Sequence, residues 1–338
     1  MNFVIYEDRE SDFIAVQLLL LSIKKHVPGA EVSLFTTKIP KSIFDWCSAL
    51  NIKQPEIIPI RERLGWNSKP TCLLHLLSRG YQDATWIDSD IILSGPLPPL
   101  LTNKTSPKTI IASEEAPWLR NQGSFLRTKA WGFPIGRDIS TTVNTCVLKV
   151  TTDHIPLLEE WKDLLASQEY VTFQKKRWEQ RPLHMKGDQD VFTALLGSTR
   201  YSDIPLKFLL NGIDIAQCFE HSGYTIRHRI IGSLTCIPPL IHAQGEKPWR
   251  LKSTVKRPLW LQVSPYSLVA RKYLDLIPEM NSWIRPDSFT GQLLITLSKG
   301  NPALAGIPCA LARSTVRKLI RFIEKFAPSF INKLRNKF

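Results

Sequence analysis

Ala84-Thr85-Trp86-Ile87-Asp88-Ser89-Asp90-Ile91-Ile92-Leu93 is the stretch on which the reading of this chain turns. A buried-strand pattern runs straight into two carboxylates and then into three more apolar residues. Carboxylates leaving a water-excluded strand are costly unless something neutralises them. At spacing two on an extended chain, Asp88 and Asp90 project to the same side. A divalent cation there satisfies both and keeps positions open for phosphate oxygens. The alternative is a pair of turn acids capping a following helix. The apolar residues on both flanks weigh against it, because exposed turn acids seldom sit between Trp86-Ile87 and Ile91-Ile92-Leu93.

Working outward, the N-terminal side reads as a βαβ unit. Phe3 to Tyr6 is a short apolar strand, followed by a polar loop from Glu7 to Asp12. Phe13, Val16, Leu19, Leu20 and Ile23 recur at helical spacing until Pro28-Gly29, and Glu31 to Thr36 is the next strand. Strand, helix, strand in that order predicts an α/β domain with a parallel sheet. In such sheets ligands gather in the loops beyond the strands' carboxyl ends, which singles out the loop after Tyr6. Ile57–Ile60, Ile110–Ala112 and Val147–Val150 read as further strands, and Pro70–Arg79, Leu157–Leu165 and Asp190–Leu196 as helices. Thr235 to Ile241 is an apolar run, interrupted by two prolines, that ends at His242.

Two further segments carry candidate chemistry. Gly187-Asp188-Gln189-Asp190 opens a helix, where either aspartate can be a cap or can face a ligand. His242-Ala243-Gln244-Gly245-Glu246-Lys247-Pro248-Trp249 brings together a metal-competent imidazole, a glycine that permits close backbone approach and a compact positive charge suited to phosphate. A lone His after an apolar run also fits a core histidine; its clustering with Gly, Lys and Trp favours a site.

Taken in order, D-x-D, an Asn-led strand, D-Q-D and H-x-x-G-x-x-K-P-W resemble glycosyltransferase family 8 over roughly Phe3 to Trp249. The resemblance implies a GT-A, Rossmann-like fold: a mixed, mainly parallel central sheet flanked by helices, here with a helical C-terminal extension. It implies a retaining transferase that uses Mn²⁺ (or Mg²⁺) and a UDP-sugar donor, acting on a saccharide or lipid-linked acceptor. Matched motif by motif, Asp88, Asp90 and His242 fall on the metal ligands, and Gly245 and Lys247 on the diphosphate contacts. Lys69 matches a basic residue approaching the donor. Tyr6, Glu7 and Asp8 fall where uracil and ribose are held, and Asn144 near the donor sugar. Asp188 and Gln189 match the pair beside the anomeric carbon, with Asp190 close to the substrate. Cys146 stands where the family has a small glycine, and Thr193 where an Asn is common; both departures bear on which sugar fits.

The remaining expectations concern the tail and the chain as a whole. The net charge is +14, and Leu311 to Phe338 holds eight Lys or Arg against the single acid Glu324. With Val316, Leu319, Ile320, Ile323 and Phe326 on one face and Phe322, Phe330 and Phe338 as anchors, that segment predicts a basic amphipathic helix on an anionic membrane surface. Packing of its apolar face on the core is the alternative. The expected divisions are a transferase domain over 1–250, an irregular and helical extension over 251–310 and a tail helix over 311–338. Six scattered cysteines without a C-x-x-C pair exclude a zinc ribbon and suit a reducing compartment. With no basic n-region or apolar h-region at the start, a cytoplasmic protein is expected, peripheral on the inner face of the plasma membrane. No motif for nucleic acid appears, so none is expected as partner. The competing classes are a nucleotide-sugar binder without turnover and a basic nucleic-acid-binding protein.

Overall fold

The computed structural model describes residues 1–38, 42–60, 64–103, 105–115, 123–218, 224–250, 258–277, 280 and 288–326. Its centre is a seven-stranded mixed sheet. Strands β1 (Asn2–Tyr6), β2 (Glu31–Thr36) and β3 (Glu56–Pro59) are parallel and connected through α1 (Phe13–His26) and α2 (Ser42–Ala49). After α3 (Lys69–Ser78) the chain crosses to the other side of β1 and enters β4 (Asp83–Ile87), again parallel. That reversal places a topological switch point between the carboxyl ends of β1 and β4, where open α/β sheets bind ligands.

The short strand β5 (Ile91–Leu93) follows, then the short helix α4 (Pro99–Thr102), before the chain returns to the main sheet. Strand β6 (Ile110–Glu114), helix α5 (Ser124–Ala130) and the long strand β7 (Val143–Thr151) come next. β7 lies between β4 and β6, antiparallel to both. Helices α6 (Ile155–Ala166), α7 (Gln168–Gln174) and α8 (Asp188–Gly197) precede β8 (Leu206–Leu209), which pairs in parallel with β6 at the sheet edge. Thereafter come β9 (Ile215–Gln217), α9 (Ile226–Leu234) and β10 (Leu240–His242).

Alternation along the strands explains the two layers. Phe3 and Ile5 face a core with Val16, Leu19 and Leu34, whereas Val4 and Tyr6 face the opposite core with Leu73, Leu76, Trp161 and Phe192. Both faces of the sheet are therefore covered, as parallel strands require.

The expected strand through Asp88-Ser89-Asp90 is not continuous. The three residues form a turn, and β5 leaves the main sheet to pair antiparallel with β10 in a second, three-stranded sheet completed by β9. The two aspartates thus share a side because of a turn, not because of pleating. Of the apolar run Thr235–Ile241, only Leu240 and Ile241 are strand; Thr235 terminates α9, and the prolines at 238 and 239 hold the remainder out of the ladder. Helices α2, α5 and α9 and strands β8 and β9 lay outside the sequence expectations.

The segment beyond residue 258 is helical and partly integral to the core. Helix α10 (Leu259–Gln262) leads into α11 (Pro265–Ala270), every residue of which is buried, and Tyr266, Val269 and Ala270 join the cluster beneath β5 and β10. Two further helices follow, Phe289–Leu297 and Ile307–Phe326. The last begins four residues before the expected start at residue 311. Its first turns pack inward through Cys309 and Ala310, while Leu311, Val316 and Leu319 are exposed. The expected anchors Phe330 and Phe338 lie outside the described residues, and the side chains of Phe322 and Phe326 are likewise not described. No helix among the described residues is long and apolar enough to cross a membrane.

Arg229 of α9 fastens this extension. It is buried and donates to the Tyr224 carbonyl at 3.2 Å and the Ala303 carbonyl at 3.2 Å. Replacing Arg229 with Leu leaves those carbonyls without this donor and should destabilise the fold by about 2–3 kcal/mol. Limited proteolysis should then cut ahead of the Ile307 helix faster than in the unmodified protein; equal protection in both would count against the fastening role.

Candidate metal and nucleotide-sugar site

A cleft of about 950 Å³ opens at the switch point, within the usual range for small-molecule sites. Its floor is the 88–90 turn, its walls are the β1 loop and the 187–189 segment, and its far end is the loop after β10.

The turn is positioned from both sides by backbone bonds. Asp88 N–H donates to the Cys146 carbonyl at 2.8 Å, extending the β4–β7 ladder, and Ala243 N–H donates to the Asp90 carbonyl at 3.0 Å. The β5–β10 register sets His242 opposite Ile91. As a result one ligand atom from each of Asp88, Asp90 and His242 lies within 4.8 Å of the others. His242 Nε2 is 3.3 Å from Asp90 Oδ1 and 3.7 Å from Asp88 Oδ2. Two hard carboxylates and one imidazole form a donor set that fits Mn²⁺ or Mg²⁺.

Cations crowd the same point. Lys247 Nζ donates to Asp90 Oδ2 and to the Ala243 carbonyl. Lys69 Nζ lies 3.6 Å from Asp88 Oδ1 and donates to Asp188 Oδ2 and Thr145 Oγ1, each at 3.0 Å. Trp86 Nε1 donates to Asp88 Oδ1 at 2.7 Å. Burial works to raise the Asp90 carboxyl, but Lys247 and His242 outweigh it and hold the group well below the usual carboxylate range. For Asp88 burial prevails, reinforced by Asp90 and opposed by Lys69 and His242, and its pKa is raised. Burial also works against a charged His242, yet the adjacent Asp90 carboxylate and Cys146 bring it up to about 10. Lys69 is likewise opposed by burial and held protonated by Asp188 and Asp88.

The expected substrate residues divide. Tyr6, Asp8, Lys69, Asn144, Asp188, Gln189, Gly245 and Lys247 all line the cleft. Gly245 adopts φ +84°, a backbone conformation that favours glycine. Glu7 is not among the lining residues. Its carboxylate accepts from the Arg9 backbone and guanidinium and from Ser89 Oγ at 2.7 Å, tying the β1 loop to the 88–90 turn. Asp190 does not line it either: Oδ2 accepts the Gly187 N–H at 3.0 Å and Oδ1 pairs with Arg127 Nε at 2.8 Å. Burial pushes its carboxyl up to about 6 against the pull of Arg127. Its place at the third position of α8 makes it part of a cap.

Glu115 escaped the sequence reading. It is fully buried and its Oε2 accepts from Asn144 Nδ2 at 3.1 Å and Gln189 Nε2 at 2.8 Å, so it orients two cleft residues. The signal was present: Glu115 follows strand β6 directly, just as Asp88 follows β4. Arg9 and Arg250, both in the cleft wall, were missed as well.

No family model matches the sequence, and no curated protein matches it. Among solved structures the chain is similar to the apo form of the bifunctional glycosyltransferase WbbM, at 14% identity and TM-score 0.50, over 85% of this chain and 52% of that one. It thus spans about half of that protein's length. It is also similar to the glycosyltransferase GlyE of Streptococcus pneumoniae TIGR4, at 16% identity and TM-score 0.46, over 81% of this chain and 63% of that one. A third likeness is to the galactosyltransferase LgtC in complex with donor and acceptor sugar analogues, at 15% identity and TM-score 0.43, over 74% and 90%. The fold is glycosyltransferase-like, of the GT-A type. At 16% identity or below, these likenesses bear on the fold and assign no family.

One buried acid holds the cleft's far wall. Asp12 accepts from Trp249 Nε1 at 3.0 Å and Arg250 Nε at 2.8 Å, and Arg9 Nε lies 3.1 Å from its Oδ2. Burial raises its pKa, but Arg250, Arg9 and Trp249 outweigh this and lower it below the usual carboxylate range. A depressed acid contributes stability above its unfolded pKa and loses it as pH falls through the folded one. Asp12→Asn should therefore cost about 1–2 kcal/mol near neutral pH, the low end for charged hydrogen bonds because both arginines are partly exposed. Urea melts should show that deficit shrinking below about pH 4; a deficit independent of pH would refute the assignment.

Proposed function

We propose that this chain is a metal-dependent glycosyltransferase that moves a hexose from a UDP-sugar, with retention of configuration, to a hydroxyl of a saccharide or lipid-linked acceptor. The observation that carries this is the convergence of Asp88, Asp90 and His242 at the floor of a cleft large enough for a nucleotide sugar. The family-8 resemblance of the four motifs supports the choice of donor.

Asp88, Asp90 and His242 would hold Mn²⁺ or Mg²⁺. Bound there, the ion supplies Lewis-acid neutralisation of the diphosphate leaving group. The chain's own residues do the rest. The Tyr6 ring and Asp8 receive the base and ribose; the Tyr6 hydroxyl is itself fixed by donating to Asp8 at 2.8 Å and accepting from Leu64 N–H at 2.9 Å. Lys247 and the Gly245 backbone face the diphosphate, where a preorganised charge favours the departing group. Asn144 and Gln189, oriented by Glu115, meet the sugar.

Asp188 stands beside the anomeric carbon but is a restrained nucleophile. Its Oδ2 accepts from both Lys69 and Thr145 Oγ1, the latter at 2.9 Å. This supports substitution on the leaving-group face: the C1–O bond to the β-phosphate breaks, the acceptor oxygen bonds to C1 and its proton passes to the departing phosphate. Asp188 then stabilises positive charge at C1 and does not form a covalent intermediate.

Differential scanning with UDP and Mn²⁺ tests the site. A ligand at 100 times its Kd stabilises the native state by about 2.7 kcal/mol, and that shift should vanish in Asp88→Asn and in excess chelator while the ligand-free melting curve is little changed. Full turnover in Asp88→Asn, or in chelator, would falsify the proposal.

We also propose that the protein is cytoplasmic and docks on an anionic membrane face through the Ile307–Phe326 helix. Leu311, Val316 and Leu319 are exposed beside Lys318 on its described part, a combination that favours an interfacial helix. Vesicles rich in phosphatidylglycerol should float the full chain and fail to float Val316→Asp/Leu319→Asp; equal flotation would refute it.

A further inference from the structure

The outer rim of the cleft has chemistry that the donor site does not use. Trp66 is 51% exposed and Trp178 46% exposed, and both line the cleft mouth. Large rings half in water at the edge of a cavity are surfaces of the kind that ligands cover. They are held, not loose. Trp66 sits on the helical turn Gly65–Ser68, whose Asn67 accepts from the buried Tyr170 hydroxyl at 3.0 Å. Arg181 lies against both rings, its guanidinium 5.9 Å from the centre of Trp66 and 5.7 Å from that of Trp178.

The rim is strongly basic. Residues 174–186 include five Lys or Arg and one Glu. Arg181 donates to the Lys176 carbonyl at 3.1 Å, the Lys186 carbonyl at 3.1 Å, the Gln174 carbonyl at 2.9 Å and Gln174 Oε1 at 2.6 Å. These oxygens are neutral, so they satisfy its hydrogens without cancelling its charge. Lys186 Nζ lies 5.7 Å from the Trp178 ring centre, and Lys175, Lys176 and Arg177 are exposed. Lys186 is followed at once by Gly187 and Asp188, so the platform runs directly into the transfer site.

Flat aromatic faces pack the C–H faces of pyranose rings, and an uncompensated cationic border attracts anions. We propose that Trp66 and Trp178 hold the acceptor, and that the acceptor is a saccharide carrying carboxylate or phosphate groups. This rests on the transferase reading and specifies its second substrate.

The test is titration of the full chain, followed by tryptophan fluorescence, with tetragalacturonate, with a galactose oligosaccharide bearing a 6-phosphate and with neutral galactotetraose. At least one anionic probe should bind roughly tenfold more tightly than the neutral one, a difference of about 1.4 kcal/mol; which of the two does so separates carboxylate from phosphate. Trp178→Ala should weaken that binding roughly tenfold, with Trp178→Phe restoring most of it. Lys175→Gln/Arg177→Gln should reduce the preference for anionic over neutral probe. The proposal is overturned if the neutral probe binds equally well, if Trp66→Ala and Trp178→Ala leave affinity unchanged, or if a single-stranded oligonucleotide binds as tightly as the best saccharide. A parallel UDP–Mn²⁺ melting shift on the unmodified protein keeps the two claims apart. Its presence while every saccharide fails overturns only the acceptor assignment; its absence brings down the transferase reading and the acceptor assignment with it.

Discussion

Two like charges in one tight turn on the floor of the cleft are the constraint around which this molecule is arranged. Unit charges 4 Å apart interact by about 4 kcal/mol at an effective dielectric of 20, so Asp88 and Asp90 can share the turn only if counter-charge is brought to them. Lys69 comes from the start of α3, Lys247 from the loop after β10, and His242 from β10 itself. None of these is a sequence neighbour of the turn. The second sheet delivers the last two: β5 carries the chain away from Asp90, and β10 pairs with it so that His242 and the following loop return to the same point.

The other acids of the region are spent differently, and their partners show how. Glu7 ties the β1 loop to the turn, Asp12 ties the 249–250 segment to the same loop, Asp190 closes the first turn of α8, and Glu115 orients Asn144 and Gln189. None of these four acids lines the cleft, although several of their donors, Arg9, Ser89, Asn144 and Gln189 among them, do. Asp88, Asp90 and Asp188 instead present carboxylates at the cleft surface, among cations that a diphosphate would also attract. Structural and chemical carboxylates are thus separated by whether they reach the cleft, since both groups have donors of their own.

The C-terminal segment is part of that arrangement and not only an appendage. Tyr266 of the buried helix α11 packs beside Trp249, with ring centres 5.6 Å apart, and Trp249 in turn donates to Asp12. The loop bearing Gly245 and Lys247 is therefore backed by α11 on one side and bonded to the β1 loop on the other. This gives a physical reason for the chain to continue past its last sheet strand before reaching the exposed amphipathic helix.

Much of the fold was legible locally. The apolar spacing of α1, the strand patterns of β1, β2 and β4, and the acids that follow β4 could all be read from neighbours a few residues apart, because burial periodicity is a short-range property. The metal candidates were legible because unusual residues ended apolar runs. Helices α2, α5 and α9 are only seven to nine residues long, and the buried α11 is too short to show a period. What no local pattern contains is which acid meets which cation. Lys247 and Asp90 are 157 positions apart, and Lys69 and Asp188 are 119 apart. Sequence by itself determined an α/β chain with carboxylates and an imidazole at strand ends. Only tertiary structure decided that Asp88, Asp90 and His242 converge while Glu7 and Asp190 turn to structural partners, because ion pairing is set by strand register and helix packing between distant segments.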